Sequence, residues 1–179
     1  MAHLSPSLPA HGANHANHAN HAFGPGGYAE LSLLQTLERG LSEAYTLFHS
    51  VDWSRGQGKH EQHGEIDIVV VNQAGDVLLI EVKSGGVDFL NGGIFKSYSG
   101  QIKSVTGQVG LQYNALMSRL RDASLSVHLN HLLVLIDVLV QSDTVQWPRE
   151  QIVDSSEIDH IVSRISQALG PGLPNSCRT

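Results

Sequence analysis

The stretch GEIDIVVVNQAGDVLLIEVKSG, residues 64–85, contains two apolar runs that carry charged residues at their outer ends. Both runs are rich in β-branched residues, and the segment between them has a turn composition, so the stretch predicts two antiparallel strands. If residues 73–75 form the loop with Gly75 in the left-handed conformation, Asn72 faces Asp76. The register of the whole hairpin follows from that loop.

This register brings the charged side chains together. Asp67 lies opposite Glu81, and Glu65 lies opposite Lys83. Because side chains alternate across a strand, Asp67, Glu81 and Lys83 share one face with Val69. The other face is predicted to carry the remaining apolar residues: Ile66, Ile68, Leu78, Ile80 and Val82.

Two facing carboxylates require compensation. Asp67 and Glu81, at about 5 Å, repel by roughly 3 kcal/mol at an effective dielectric near 20. Lys83 compensates in part, and a divalent cation held between the carboxylates compensates further, because hard cations such as magnesium prefer oxygen ligands. The pattern suggests a metal site. The alternative is a surface ion pair between Glu81 and Lys83, with Asp67 as a solvated strand end.

Asp67, followed by Glu81-Val82-Lys83 at the end of the next strand, resembles the D…ExK core of the PD-(D/E)XK nuclease superfamily. The strings GEIDIVVV and VLLIEVKSG resemble most closely its nuclease-related (NERD) domains, and the resemblance covers residues 28–169. Ile66 stands where the proline that names the superfamily would stand. The resemblance implies a metal-dependent nuclease that hydrolyses DNA phosphodiester bonds endonucleolytically.

The resemblance also implies a set of catalytic residues: Glu30, Asp67, Glu81, Lys83 and Gln108. Asp67, Glu81 and the carbonyl of Val82 would hold Mg²⁺, for which Mn²⁺ can substitute. The cation would lower the pKa of a bound water and stabilise charge developing on the phosphate. Lys83 would orient that water or help to deprotonate it.

Four polar residues have open roles. Glu30 would reach the metal from the first helix, although the helix dipole alone also explains a glutamate there. Gln108 would orient the water or a phosphate oxygen, with Gln112 as the second candidate; a solvent-facing position is the alternative for both. Glu65 either tunes the pKa of Lys83, binds a second metal or forms a simple ion pair.

The remaining sequence predicts helices and strands around the hairpin. Apolar periodicity predicts helices over residues 28–39, 107–122 and 155–170, the last capped by Ser155 or Ser156, and strands over residues 44–53 and 126–140. The glycine-rich segment 84–107 predicts a small hairpin near the substrate path. This order predicts an α/β sandwich with a mixed central sheet flanked by helices. The resemblance implies the same architecture, the restriction-endonuclease-like sandwich.

Length and composition are those of one domain. The chain has 179 residues, 41% hydrophobic and 16% charged, which is enough for a substantial core. We expect a disordered His/Asn/Ala-rich leader over residues 1–27, a nuclease-like domain over 28–170 and a flexible tail over 171–179. No apolar run has the length of a membrane span and no signal peptide is recognisable, so a cytoplasmic protein is expected. The single cysteine, Cys177, excludes an intrachain disulfide.

The leader contains an Ala-Asn-His repeat that includes His15, His18 and His21. These imidazoles could bind transition metals, which would make the chain a metal-binding accessory protein. The alternative is a flexible tail without a catalytic part, because nothing in the sequence fixes the geometry of the three rings.

The net charge of −6 argues against nucleic-acid binding, since most such domains have a basic face. Bound cations reverse the local sign, however, and a local basic patch can form from residues in segments predicted to flank the site: Lys59, Lys83, Lys96, Lys103, Arg119 and Arg121. DNA is the expected partner. The sequence has no phosphate loop, so unwinding would require a helicase or other ATPase on a separate chain. The alternative is a non-catalytic nucleic-acid-binding or assembly module of a helicase, repair or defence system.

Overall fold

The computed structural model describes residues 1–5, 25–56, 62–141 and 147–170. Its elements, in chain order, are β1 (His3–Ser5), α1 (Pro25–Gly40), β2 (Tyr45–Arg55), β3 (Gln62–Asn72), β4 (Val77–Lys83), β5 (Asp88–Leu90), β6 (Gly93–Tyr98), β7 (Gln101–Ser104), α2 (Val105–Asp122), β8 (Leu129–Leu135), β9 (Ile152–Val153) and α3 (Ile161–Leu169).

A mixed sheet of six strands forms the centre of the described fold, in the order β1-β2-β3-β4-β8-β9. Strands β2, β3 and β4 are antiparallel, whereas β4, β8 and β9 are parallel. Every residue of β4 is buried, because the strand lies between β3 and β8 and has helices on both of its faces. The predicted α/β sandwich is confirmed.

The two faces of the sheet are covered by different helices. On one face, Leu34 of α1 and Ile165 of α3 pack in a cluster with Ile80 of β4. On the other face, Ala115 of α2 packs in a cluster with Leu79 of β4. The alternation of apolar residues along β4 therefore determines which helix each side chain contacts.

The β3–β4 hairpin has the predicted register. Gly75 adopts a φ of +82°, and its N–H donates to the Asn72 carbonyl at 3.0 Å. The Asn72 N–H donates to the carbonyl of Asp76 at 3.1 Å, as expected for facing residues. The paired residues continue to Ile68 opposite Ile80.

One predicted side-chain direction is wrong. Ile66 packs on the α2 side, whereas Ile68 packs on the α1 side with Leu78, Ile80 and Val82. The register with β2 is the same on both sides of this point, because His49 pairs with Ile68 and Val51 pairs with Ile66. Ser50, which lies between these two pairs, has a φ of +53°. We attribute the change of side to this local distortion of the strand pair, which a regular alternation does not include.

The leader prediction also needs correction for its first residues. Residues His3–Ser5 form β1, which pairs in parallel with β2, and Ala2 is buried against the α1 side of the core. The Ala2 N–H donates to the Glu38 carbonyl at 3.1 Å. This short segment thus forms the edge strand of the sheet beside β2. It is too short for its sequence to show a strand pattern. The histidines of the repeat and Cys177 lie outside the described residues.

A second sheet of three short strands, β5-β6-β7, corresponds to the predicted small hairpin. Ile94 of this sheet packs with Val105 of α2 and Leu133 of β8. The small sheet is thereby held near the end of β4 that carries the charged residues. Within the part of the chain that the structure describes, no helix has the length and apolar character needed to cross a membrane.

The last helix begins later than predicted. Ile158–His160 form a 3-10 turn, and α3 starts at Ile161 without a side-chain cap. Ser156, one of the two predicted caps, instead donates its hydroxyl to Asp154 Oδ1 at 2.6 Å. The buried Asp154 carboxylate also accepts the Ser156 N–H, which fixes the serine in a turn before the helix.

Candidate metal centre

Three carboxylates from two elements meet at the outer end of the hairpin. Glu30 comes from α1, and Glu65 and Asp67 come from β3; one oxygen of each lies within 4.8 Å of the others. A divalent cation with metal–oxygen distances of about 2.1 to 2.6 Å separates opposite ligands by about 4 to 5 Å. The spacing and the all-oxygen donor set therefore fit such a cation.

Asp67 is the most strongly perturbed member of this acidic cluster. Its Oδ2 accepts the N–H of Val82 at 2.7 Å. This side-chain hydrogen bond follows Ile68 and Ile80, the last backbone pair of the hairpin. Burial and the nearby charge of Glu81 raise the pKa of Asp67 to about 8. A bound cation would favour the ionised form, because it supplies the positive charge that the buried carboxylate lacks.

Glu81 lies beside the acidic cluster but is held from the opposite face of the sheet. Gln108 of α2 donates to its Oε1 and Gln112 of α2 donates to its Oε2, each at 2.6 Å. The Lys83 ammonium also donates to Oε1. Both oxygens of Glu81 thus accept hydrogen bonds from protein groups. The sequence had predicted that this carboxylate would instead face the carboxylate of Asp67.

Gln112 connects the two parts of the site. Its Nε2 donates to the backbone carbonyl of Glu65 at 2.9 Å as well as to Glu81, and the side chain is only 1% exposed. Among the described residues, its Oε1 is buried without a hydrogen-bond partner. The amide is therefore fixed in orientation, with one acceptor left over.

Lys83 pairs with Glu81, the ion pair that the sequence offered as the alternative to a metal site; a pair with Glu65 was one of three options for that glutamate. The two side chains are two residues apart on one face of β4, so they meet without any contribution from β3. Burial lowers the pKa of Lys83, but the charge and hydrogen bond of Glu81, together with Asp67, outweigh burial and raise it above its usual value. Lys83 is therefore a cation at neutral pH.

Glu30 approaches from α1 and is half-buried. Burial raises the pKa of its carboxyl, and the charges of Glu65 and Glu81 act in the same direction, against the opposing effect of Lys83. The structure thus places Glu30 where its charge interacts with every other charged member of the site.

Two clefts meet at this site. The first, of about 970 Å³, lies between β3, α2 and the β6–β7 hairpin and is lined by Glu65, Lys83, Tyr98 and Gln108 among others. The second, of about 800 Å³, lies on the α1 side and is lined by Glu30, Val82, Lys83, Lys96 and Tyr98 among others. Lys83 and Tyr98 border both clefts, so a long ligand could pass from one to the other across the charged residues.

The predicted basic residues are only partly near the site. Lys83, Lys96 and Lys103 line the two clefts. Arg119 belongs to α2 and reaches β2, where its guanidinium donates to Ser54 Oγ at 2.9 Å; it lines a separate cleft together with Glu65. Lys59 lies outside the described residues. The local positive charge is thus concentrated on Lys83 and the β6–β7 hairpin.

All five predicted catalytic residues, Glu30, Asp67, Glu81, Lys83 and Gln108, lie in one region, and their roles stay predictions. Glu65 belongs to the acidic cluster. The sequence had left its role open between tuning the pKa of Lys83, binding a second metal and forming an ion pair. The position of Gln112, buried under the site, depends on how α2 packs. Tyr98 was not predicted as a site residue. Its position between Lys96 and Lys103 was the sequence signal that could have indicated it.

The predicted catalytic residues all lie within a segment that matches a known protein family. A protein-family model described as "Nuclease-related domain" (NERD) matches residues 25–136, more than half of the chain. The crystal structure of protein VC1899 from Vibrio cholerae is similar to this chain with a TM-score of 0.43 and 16% sequence identity; the match covers 78% of this chain and 32% of that one. No match was found among the curated proteins.

Proposed function

The chain belongs to the nuclease-related domain (NERD) family, and from this premise we propose that it is a metal-dependent nuclease that hydrolyses phosphodiester bonds of DNA. The observation that carries the proposal is the cluster of Glu30, Glu65 and Asp67, whose oxygens lie within 4.8 Å of one another beside a buried lysine. Hydrolysis of a phosphodiester at neutral pH calls for both charge neutralisation and an activated water, and this arrangement is suited to both.

The all-carboxylate donor set supports Mg²⁺ as the cation, with Mn²⁺ as a substitute. When bound, the cation would supply Lewis-acid stabilisation of the phosphate and a lowered pKa for the attacking water. Glu30, Glu65 and Asp67 would hold it. Glu81, which was predicted as a ligand with Asp67 and Val82, already accepts hydrogen bonds on both oxygens, so we propose that it adjoins the cation and positions Lys83.

Lys83 would act as a cationic donor in this mechanism. Its pKa is raised, which favours orientation of the water or of a phosphate oxygen over removal of a proton. Gln108 and Gln112 would act through Glu81 as positioning residues. Endonucleolytic cleavage is part of the proposal, because Lys83 and Tyr98 line both clefts and a strand could therefore continue on both sides of the site. A helicase or other ATPase on a separate chain remains our proposed partner for duplex substrates.

The test is a cleavage assay on supercoiled plasmid and on linear oligonucleotides with Mg²⁺, Mn²⁺, Ca²⁺ or EDTA. We expect cleavage with Mg²⁺ and Mn²⁺, none with EDTA, and a loss of at least about 100-fold in Asp67→Asn. Asparagine keeps an acceptor for the Val82 N–H, so the variant should fold. Asp88→Asn removes an exposed carboxylate from β5 and is the matched control.

Equal, EDTA-resistant cleavage by wild type and Asp67→Asn would contradict the proposal. Binding of DNA without cleavage under any of these conditions would favour the second candidate, a non-catalytic nucleic-acid-binding or assembly module. One observation favours this second candidate. Protein groups already donate to both oxygens of Glu81, so this predicted ligand is less available to a cation.

A further inference from the structure

The β6–β7 hairpin presents a fixed surface beside the acidic cluster. Its turn consists of Ser99 and Gly100, with φ values of +48° and +84°, and Tyr98 pairs with Gln101 on either side of it. Positive φ at both central residues is typical of the type I′ turn, which matches the twist of the strands and fixes their register. The turn therefore defines which residues of the two strands face each other.

One face of the hairpin carries two lysines and a tyrosine. Lys96 and Lys103 are directly paired across the strands, and Tyr98 follows two residues after Lys96. The ammonium groups of Lys96 and Lys103 lie 5.5 and 5.7 Å from the centre of the Tyr98 ring. Like charges placed opposite each other destabilise a strand pair, so this pair gains stability if an anion binds between them.

The ammonium groups have capacity for such an anion. Lys103 is exposed, and Lys96 donates to the Ser84 carbonyl. An ammonium has three donors, so Lys96 can also contact a phosphate oxygen. The chain has a net charge of −6, which makes this doubly positive pair beside both clefts a local exception.

Tyr98 is accessible to a ligand. The residue is 39% exposed, and its ring lies near the ammonium groups of Lys96 and Lys103. Tyr98 borders both clefts together with Lys83, and its hydroxyl is among the groups that raise the pKa of Lys83. A base stacked on Tyr98 would thus lie next to the predicted catalytic lysine.

We propose that this hairpin face binds an unpaired DNA strand: Tyr98 stacks on a base beside the scissile phosphate, and Lys96 and Lys103 contact neighbouring phosphates. This inference rests on the proposed function and specifies its substrate class as single-stranded DNA. Bases in a duplex already stack on both faces, whereas an unpaired base offers a face to an aromatic ring, as in other proteins that bind single strands. The lysines provide the salt-dependent, sequence-independent part of the affinity.

The experiment measures binding of the full chain to a fluorescein-labelled single strand and to a duplex of the same sequence, by fluorescence anisotropy in EDTA at fixed low salt. We expect wild type to bind the single strand at least about 10-fold more tightly. Tyr98→Ala should weaken single-strand binding about five- to 100-fold and leave duplex binding unchanged, whereas Tyr98→Phe should stay within about two-fold of wild type. Ile102→Ala, on the opposite face of this hairpin and 64% exposed, is the matched control.

Equal affinity for single strand and duplex would overturn the inference, as would a Tyr98→Ala affinity within about two-fold of wild type. An equal loss in Tyr98→Phe and Tyr98→Ala would show that the hydroxyl matters rather than stacking, and would also overturn it. The binding assay contains no metal and requires no cleavage. Tyr98-dependent binding by a chain that never cleaves DNA would therefore support this inference and remove only the proposed activity.

Discussion

Lys83 is the residue whose charge state depends most on its neighbours. It is 8% exposed and contacts Glu81, which Gln108 and Gln112 hold in place from α2. A buried lysine without such partners would lose its proton more readily, because burial disfavours the charged form. The two glutamines therefore contribute indirectly to keeping a cation at the meeting point of the two clefts.

Substitution Lys83→Met separates chemistry from metal binding. We expect the single-turnover cleavage rate to fall by about 100-fold or more, because the nucleophile or the phosphate loses its donor while the stem's packing is kept. Calorimetric Mg²⁺ affinity should stay the same or rise, since a positive charge near the cation has been removed. Cleavage by Lys83→Met at the wild-type rate would exclude the proposed role of this lysine.

At the level of elements, the β3–β4 hairpin fixes the spacing of the site residues. Gly75 has a φ of +82°, and a Cβ added to it would meet no atom within 4 Å, so a substitution there tests backbone conformation alone. Gly75→Ala should destabilise the fold by about 1 kcal/mol, measured by urea unfolding. Gly86→Ala, which also meets nothing within 4 Å and has no positive φ, is the control and should change stability by less. Equal effects of the two variants would show that the fold does not require the left-handed conformation of Gly75.

The hairpin could be predicted from sequence because its determinants are local. The turn composition and the position of Gly75 fixed a register in which Asp67, Glu81 and Lys83 had to lie near one another. The helices and central strands followed from periodicity in the same way, although the start of α3 depended on a hydrogen bond between Ser156 and Asp154 that periodicity does not reveal.

The parts that could not be predicted depend on contacts between distant segments. Ile66 changes side next to Ser50, a residue of a different strand with positive φ. Gln112 reaches both Glu65 and Glu81 only because α2 packs across β3 and β4. The pairing of β1 with β2 joins two segments that are far apart in the chain. None of these contacts has a signature in one local stretch of sequence.

At the scale of the whole molecule, α1 supplies Glu30 from one face of the sheet, and α2 supplies two glutamine side chains from the other. These side chains meet at the ends of β3 and β4, next to the small sheet with its lysines. A bound cation would offset much of the negative charge of the acidic cluster, and together with the lysines of the small sheet it would favour a polyanionic substrate. The location of that cation is thus the central claim on which the proposed function depends.

Anomalous diffraction from crystals grown with Mn²⁺ tests this claim most directly. We expect an anomalous peak with oxygens of Asp67 and of Glu30 or Glu65 at about 2.0 to 2.6 Å, the range for hard divalent cations. The same crystals of Asp67→Asn should lack the peak. A wild-type map with no peak at the acidic cluster at saturating Mn²⁺, or with manganese bound only by the histidines of the leader, would contradict the account.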